Sequence, residues 1–129
     1  MNFIIIDDDE ANNMLCRIII KQAIGVADVE TFSYAREGLD YIKNTFADTT
    51  PGVKAVLFLD INMPEMDGWE FLKQFDTLTE DIKSQLRLFI LSSSANENDK
   101  RKSKENKYMW NYIVKPLRKE VIHSILAAL

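Results

Sequence analysis

Ala55-Val56-Leu57-Phe58-Leu59-Asp60-Ile61-Asn62-Met63-Pro64 decides how this chain folds. Five apolar residues run without a break into a carboxylate, and a proline-containing turn follows at once. A short continuous apolar run of this kind is a strand buried on both faces, as in the middle of a parallel sheet. Asp60 then emerges at the carboxyl end of that strand, the edge where open α/β sheets bind ligands.

The rest of the chain repeats the pattern. Phe3-Ile4-Ile5-Ile6 is a second continuous apolar run, ending in Asp7-Asp8-Asp9-Glu10, and Leu86, Leu88, Phe89, Ile90 and Leu91 form another buried strand, with Arg87 within it, ending in Ser92-Ser93-Ser94. Val26–Phe32 carries Asp28 and Glu30 and is read as an edge strand. Asn111–Val114 is a short strand ending in Lys115-Pro116. Between them lie helical periodicities. The first pairs Met14 with Ile18 and Leu15 with Ile19, continues to Ala23, and stops at Gly25. The second, capped by Ser33, carries Ala35, Leu39, Ile42 and Phe46 on one stripe. Thr49-Thr50-Pro51-Gly52 is a turn. The third helix holds Trp69, Leu72 and Phe75, and residues 96–107 are polar all round. The last carries Val121, Ile122, Ile125, Leu126 and Leu129.

The alternation predicts an α/β fold, a doubly wound (βα)5 unit with a five-stranded parallel sheet. Three continuous apolar strands belong inside and two shorter or more polar ones at the edges. The order 2-1-3-4-5, of the flavodoxin-like type, meets that condition, with its switch point between strands one and three.

Composition narrows the function. A chain of 129 residues needs no disulfide to support a core, and Cys16 has no intrachain partner. With 16 Lys plus Arg against 20 Asp plus Glu, the net charge is −4, which disfavours direct nucleic-acid binding. The apolar runs are too short to span a bilayer and no export signal opens the chain, so neither a membrane partner nor export is expected and the expected location is cytoplasmic.

The strand order brings Asp7, Asp8 and Asp60 into one crevice, with Ser92 and Lys115 beside them. Like charges about 4 Å apart cost about 4 kcal/mol at an effective dielectric of about 20, so either a pKa rises or a cation sits among them. Carboxylate oxygens suit Mg²⁺, with the main-chain carbonyl of Asn62 as a further ligand. Carboxylates, a divalent metal, a lysine and a hydroxyl meet the needs of phosphoryl transfer, and Asp60 is the best placed to be the nucleophile.

These residues resemble the receiver domain of two-component response regulators. The matching features are Ile4-Ile5-Ile6-Asp7-Asp8-Asp9, Leu59 to Gly68, Leu91-Ser92 and Tyr112-Ile113-Val114-Lys115-Pro116, in the family's order across the whole chain. The resemblance implies that Asp60 accepts phosphate from a histidine kinase or histidine phosphotransfer protein. It implies that Asp7, Asp8, Asp60 and the Asn62 carbonyl arrange Mg²⁺, and that Ser92 and Lys115 contact the phosphoryl group. Tyr112 matches the aromatic switch residue whose rotamer follows the serine. It also implies output to a downstream protein through the face made by the fourth helix, the fifth strand and the last helix. Such a domain is a phosphoacceptor and not an enzyme, beyond self-phosphorylation from small donors and slow autodephosphorylation.

The last helix reaches Leu129, so a single receiver domain over 1–129, without an output domain, is the expected organisation. Two features depart from the family pattern. Ser93 stands where a small residue, often alanine, follows the hydroxyl. The fourth helix is unusually polar, with Lys100, Arg101, Lys102, Lys104 and Lys107 outnumbering Glu97, Asp99 and Glu105, and Tyr108-Met109-Trp110 stand near its end. Three other readings compete. A haloacid-dehalogenase-like phosphatase needs a second aspartate where Asn62 stands. A flavodoxin-like cofactor binder needs a phosphate loop where Asp7 to Glu10 stand. A non-phosphorylated pseudo-receiver would lack one of the groups that are all present here.

Overall fold

The computed structural model describes residues 1–48, 51–105 and 109–129. Among the described residues, five strands and six helices follow one another: β1 Asn2–Ile6, α1 Glu10–Ile24, β2 Asp28–Phe32, α2 Ala35–Thr45, β3 Ala55–Leu59, α3 Gly68–Asp76, α4 Glu80–Lys83, β4 Leu86–Ser92, α5 Glu97–Lys104, β5 Met109–Val114 and α6 Lys119–Ala128. All neighbouring strands pair in parallel, in the order β2-β1-β3-β4-β5. The expected fold and strand order are therefore found. Thr49, Thr50, Lys107 and Tyr108, named above in a turn and near the polar helix, lie outside the described residues.

The sheet explains why the central strands show no polar alternation. Phe3, Ile5, Val56, Phe58, Phe89 and Leu91 face one way, against Cys16 and Ile20 of α1 and Ile122 and Ile125 of α6. Ile4, Ile6, Leu57, Leu59 and Leu88 face the other, against Leu39 and Ile42 of α2 and Phe71, Leu72 and Phe75 of α3. Both faces are covered, so both must be apolar. The outer strands β2 and β5 keep exposed positions along their length. No helix among the described residues is long and apolar enough to cross a membrane.

Two expectations need correction, and one short helix is additional to them. Met14, Leu15 and Ile18 do not face the core; they are 66%, 44% and 47% exposed. The inner side of α1 is Asn13, Cys16 and Ile20 instead. Fourfold spacing identifies a helix, but α1 offers two apolar stripes, and packing on β1 and α6 selects one. Ser33 does not cap α2, which starts after Tyr34 without a side-chain cap. Finally, the polar stretch before β4 contains α4, four residues long and capped by Thr79 onto the Ile82 N–H at 3.3 Å. One turn is too short to display a hydrophobic period.

Candidate functional site

The crevice is assembled by backbone bonds between strand ends. The Asp7 N–H donates to Phe32 O at 3.0 Å, the Asp60 N–H to Ile6 O at 2.9 Å and the Lys115 N–H to Ser92 O at 2.7 Å. Asp7, Asp60 and Ser92 are buried there, while Asp8 is exposed. Carboxylate oxygens of Asp7, Asp8 and Asp60 all lie within 4.8 Å of one another. Hard oxygen donors at that spacing fit a small divalent cation, which would cancel their mutual repulsion.

The two buried aspartates differ in their surroundings. Asp7 Oδ1 accepts from the Asp9 N–H at 2.9 Å. Its Oδ2 accepts from Asn12 Nδ2 at 2.9 Å and from Lys115 Nζ at 2.6 Å. The Asp7 carbonyl accepts from Asn13 Nδ2 at 2.8 Å. Asp60, by contrast, has one long hydrogen bond among the described residues, from the Asn62 N–H at 3.4 Å. Asp7 is held in place, whereas Asp60 is buried with little to hold it among the described residues.

Electrostatics follow from this difference. Burial, and then the charge of Asp7, push the Asp60 carboxyl up from its ordinary 3.8 to about 6, against a lowering pull from Lys115. Burial alone would lower the Lys115 ammonium, but the hydrogen bond and charge of Asp7 outweigh it and the net direction is upward. Burial, aided by Asp7, raises the Cys16 thiol to about 11, so it stays protonated and unreactive.

A pH-dependent prediction results. Without metal, the folded Asp60 holds its proton to about pH 6 and the unfolded one only to 3.8. The resulting stability is fully present below the unfolded value and is lost as pH rises through about 6. Asp60→Asn cannot ionise, so in chelator it should melt above wild type at neutral pH and level with it near pH 4. A shift of about two units corresponds to about 3 kcal/mol, which solvent screening at the crevice mouth reduces to about 1–2 kcal/mol. Parallel melting curves at both pH values would contradict this.

The predicted residues thus converge: Asp7, Asp8, Asp60, Ser92 and Lys115 line one crevice, with the Asn62 main chain at its lip. Ser92 is fully buried, its Oγ accepting from the Ser94 N–H at 3.1 Å, and Ser93 is exposed. Tyr112 lies farther along, donating its hydroxyl to Ser94 O at 2.7 Å. The loop after Asp60 is closed by the Gly68 N–H on Ile61 O at 3.0 Å, and Asp67 caps α3 through the Glu70 N–H at 2.8 Å. Asn12 and Asn13, which hold Asp7, were not singled out from the sequence. Their place in the first turn after an acidic strand end is the signal that marks them.

Comparison with known proteins agrees with this geometry. The family model for the response regulator receiver domain matches residues 3–127. The chemotaxis protein CheY of Listeria monocytogenes is 35% identical over 74 residues, 57% of this chain and 56% of that protein. The match thus spans little more than half the length of that relative. A response regulator receiver protein from Dyadobacter fermentans superposes with a TM-score of 0.88 at 26% identity, covering 99% of this chain and 96% of that one. A two-component response regulator from Cytophaga hutchinsonii shares the fold, with a TM-score of 0.87 at 24% identity over 98% and 94% of the two chains.

Proposed function

The chain belongs to the response regulator receiver domain family, and we propose that it is a phosphorylation-switched signalling module whose phosphoacceptor is Asp60. The donor in this reading is a histidine kinase or histidine phosphotransfer protein. The observation that carries it is the contrast between the two buried carboxylates: Asp7 has both oxygens engaged, and Asp60 does not. An Asp60 oxygen would bond to phosphorus as the donor's P–N bond breaks, giving an aspartyl phosphate and a free imidazole. A carboxyl group near pKa 6 is mostly ionised at neutral pH, as the attack requires.

Asp7, Asp8, Asp60 and the Asn62 carbonyl would hold Mg²⁺, which supplies charge neutralisation at the transferring phosphoryl oxygens. Lys115 would leave Asp7 Oδ2 for a phosphoryl oxygen, and Ser92 would donate its hydroxyl to another. A movement of Ser92 bears directly on the output side. Its Oγ holds the Ser94 N–H, and the Ser94 carbonyl holds the Tyr112 hydroxyl. Two hydrogen bonds and one residue therefore link the phosphoryl site to β5. A coupling of about 1–3 kcal/mol along that link changes a downstream partner's affinity about 5- to 150-fold. The α5, β5 and α6 face is where we place that partner.

Incubation of the wild type with acetyl phosphate and Mg²⁺, read by intact mass, tests the reading. One phosphoryl group should be gained, and chelator should prevent it. No gain in Mg²⁺ would sink the proposal.

The exposed stripe of α1 suits the protein donor. Met14, Leu15 and Ile18 are exposed and begin about one turn beyond Glu10, where α1 leaves the acidic end of β1, so a surface seated on them would approach the crevice from the start of α1. Met14→Glu combined with Ile18→Glu should slow transfer from a phosphorylated histidine phosphotransfer protein about tenfold or more. Uptake from acetyl phosphate should be unchanged. Equal slowing with both donors would remove α1 as the docking helix.

A further inference from the structure

The Asp7 carboxylate accepts from Asp9, Asn12 and Lys115, and the first two belong to the start of α1. Asp7 Oδ1 accepts from the Asp9 N–H at 2.9 Å, and Asp9 Oδ1 in turn accepts from the Asn12 N–H at 3.2 Å. The Asn12 side chain closes the ring, with Nδ2 donating to Asp7 Oδ2 at 2.9 Å. Asn13, 4% exposed, donates Nδ2 to the Asp7 carbonyl at 2.8 Å, which fixes the main chain of the same residue. One turn beyond Asn12, the buried Cys16 thiol lies within hydrogen-bond reach of its side chain and backs it.

Lys115 shares Asp7 Oδ2 with Asn12, at 2.6 Å. The two donors differ in kind. The lysine carries a charge on a flexible four-carbon stem. Asn12 carries none, and its short side chain stands on a helix capped by Asp9. When Lys115 moves to a phosphoryl oxygen, Asn12 is the donor that stays on Asp7 Oδ2 among the described residues. A carboxylate that turned at that moment would take its oxygen away from Asp8 and Asp60, whose oxygens lie within 4.8 Å of it. A neutral amide resists the turn without setting positive charge against a cation. A lysine or arginine in the same place would hold Asp7 and repel the metal.

We propose that Asn12 is a positioning residue for phosphoryl uptake: its amide keeps the Asp7 carboxylate aimed at Asp8 and Asp60 when Lys115 is withdrawn. The proposal rests on the reading of Asp60 as the phosphoacceptor and of Lys115 as the group that moves. Hydrogen bonds that orient a ligating carboxylate are worth about 10- to 100-fold in metal affinity or activity.

A double-mutant cycle between Asn12 and Lys115, read as Mg²⁺ affinity by calorimetry, tests it. With the lysine present to cover for the amide, Asn12→Ala should weaken Mg²⁺ binding by no more than about threefold. In a Lys115→Met background the same change should weaken it about tenfold or more. Uptake from acetyl phosphate at saturating Mg²⁺ should slow about tenfold in Asn12→Ala, because the lysine leaves during that reaction. Alanine keeps the N–H that Asp9 caps, so the urea midpoint of Asn12→Ala in chelator should match wild type. The uptake arm leaves Lys115 in place, so it decides the matter even where Lys115→Met does not fold. Equal weakening in the two backgrounds, wild-type uptake by Asn12→Ala, or slowed uptake together with a lower urea midpoint would overturn the proposal. A non-additive cycle in a protein whose wild type takes up no phosphoryl group would leave Asn12 positioning Asp7 for the cation and remove the switch. Normal wild-type uptake with an additive cycle would remove Asn12 alone.

Discussion

Asp60→Ala should take up no phosphoryl group from acetyl phosphate and Mg²⁺ while remaining folded. Loss is expected to be complete because no neighbouring carboxylate can substitute. Asp7 lies close, but its oxygens accept from Asp9, Asn12 and Lys115, and the lysine is only 2.6 Å away. Using Asp7 as the nucleophile would mean breaking that pair and stranding a buried ammonium, which is costly. Asp8 is exposed, outside the fixed dipoles that position a transferring group. The fold should survive because the substitution removes a buried charge with one long hydrogen bond rather than a packed apolar group. Native-like circular dichroism with no phosphoryl mass is the expected pair of results. A wild-type mass gain in Asp60→Ala would identify another acceptor and remove Asp60 from its role.

Gly68→Ala should be the most damaging single-methyl change near the site. A Cβ there would meet Ile61 Cα at 2.7 Å and Asp60 O at 2.8 Å. Both are backbone atoms, so no side chain can rotate away to make room. The loop would have to open, breaking the Gly68 N–H bond to Ile61 O and shifting the peptide that carries Asp60. Overpacking of this kind costs about 2–3 kcal/mol, equivalent to a melting point lower by about 10 °C for a domain of this size. Phosphoryl uptake should slow as well, because Asp60 moves with the loop. An unfolding free energy from urea titration within about 0.5 kcal/mol of wild type would show that the loop accommodates the methyl group and that this contact is not limiting. Gly25 makes a useful contrast: its φ is 83° and nothing lies within 4 Å of its Cβ position, so any cost there comes from backbone conformation alone.

Much of the site was legible in the chain because parallel sheets put strand ends together. Once Phe3–Ile6, Ala55–Leu59 and Leu86–Leu91 are read as interior strands, the residues that follow them must be neighbours. Asp7, Asp8, Asp60, Ser92 and Lys115 therefore follow as one group from the order of the strands alone. The face of α1 could not. Its sequence has apolar residues at positions 14, 15, 16, 18, 19 and 20, and nothing local says that Cys16 and Ile20 turn inward while Met14 and Ile18 turn out. Hydrophobic periodicity carries the pitch of a helix, but its phase is chosen by what it packs against.

Partner choice within the crevice was likewise out of reach. Lys115 could have paired with Asp60 or with Asp7; it sits on Asp7, and that selection leaves Asp60 the underpartnered carboxylate. The bulge at Trp110 depends on the β4–β5 register, a relation between strands and not a property of either. The sequence by itself determined the element order, the parallel sheet and the membership of the acidic crevice, because burial on both faces and strand-end chemistry are written residue by residue. Only the tertiary structure decided which aspartate is held and which has little to hold it, which side of α1 is exposed and where β5 bulges. Those outcomes depend on distances of a few ångströms between segments far apart in the chain.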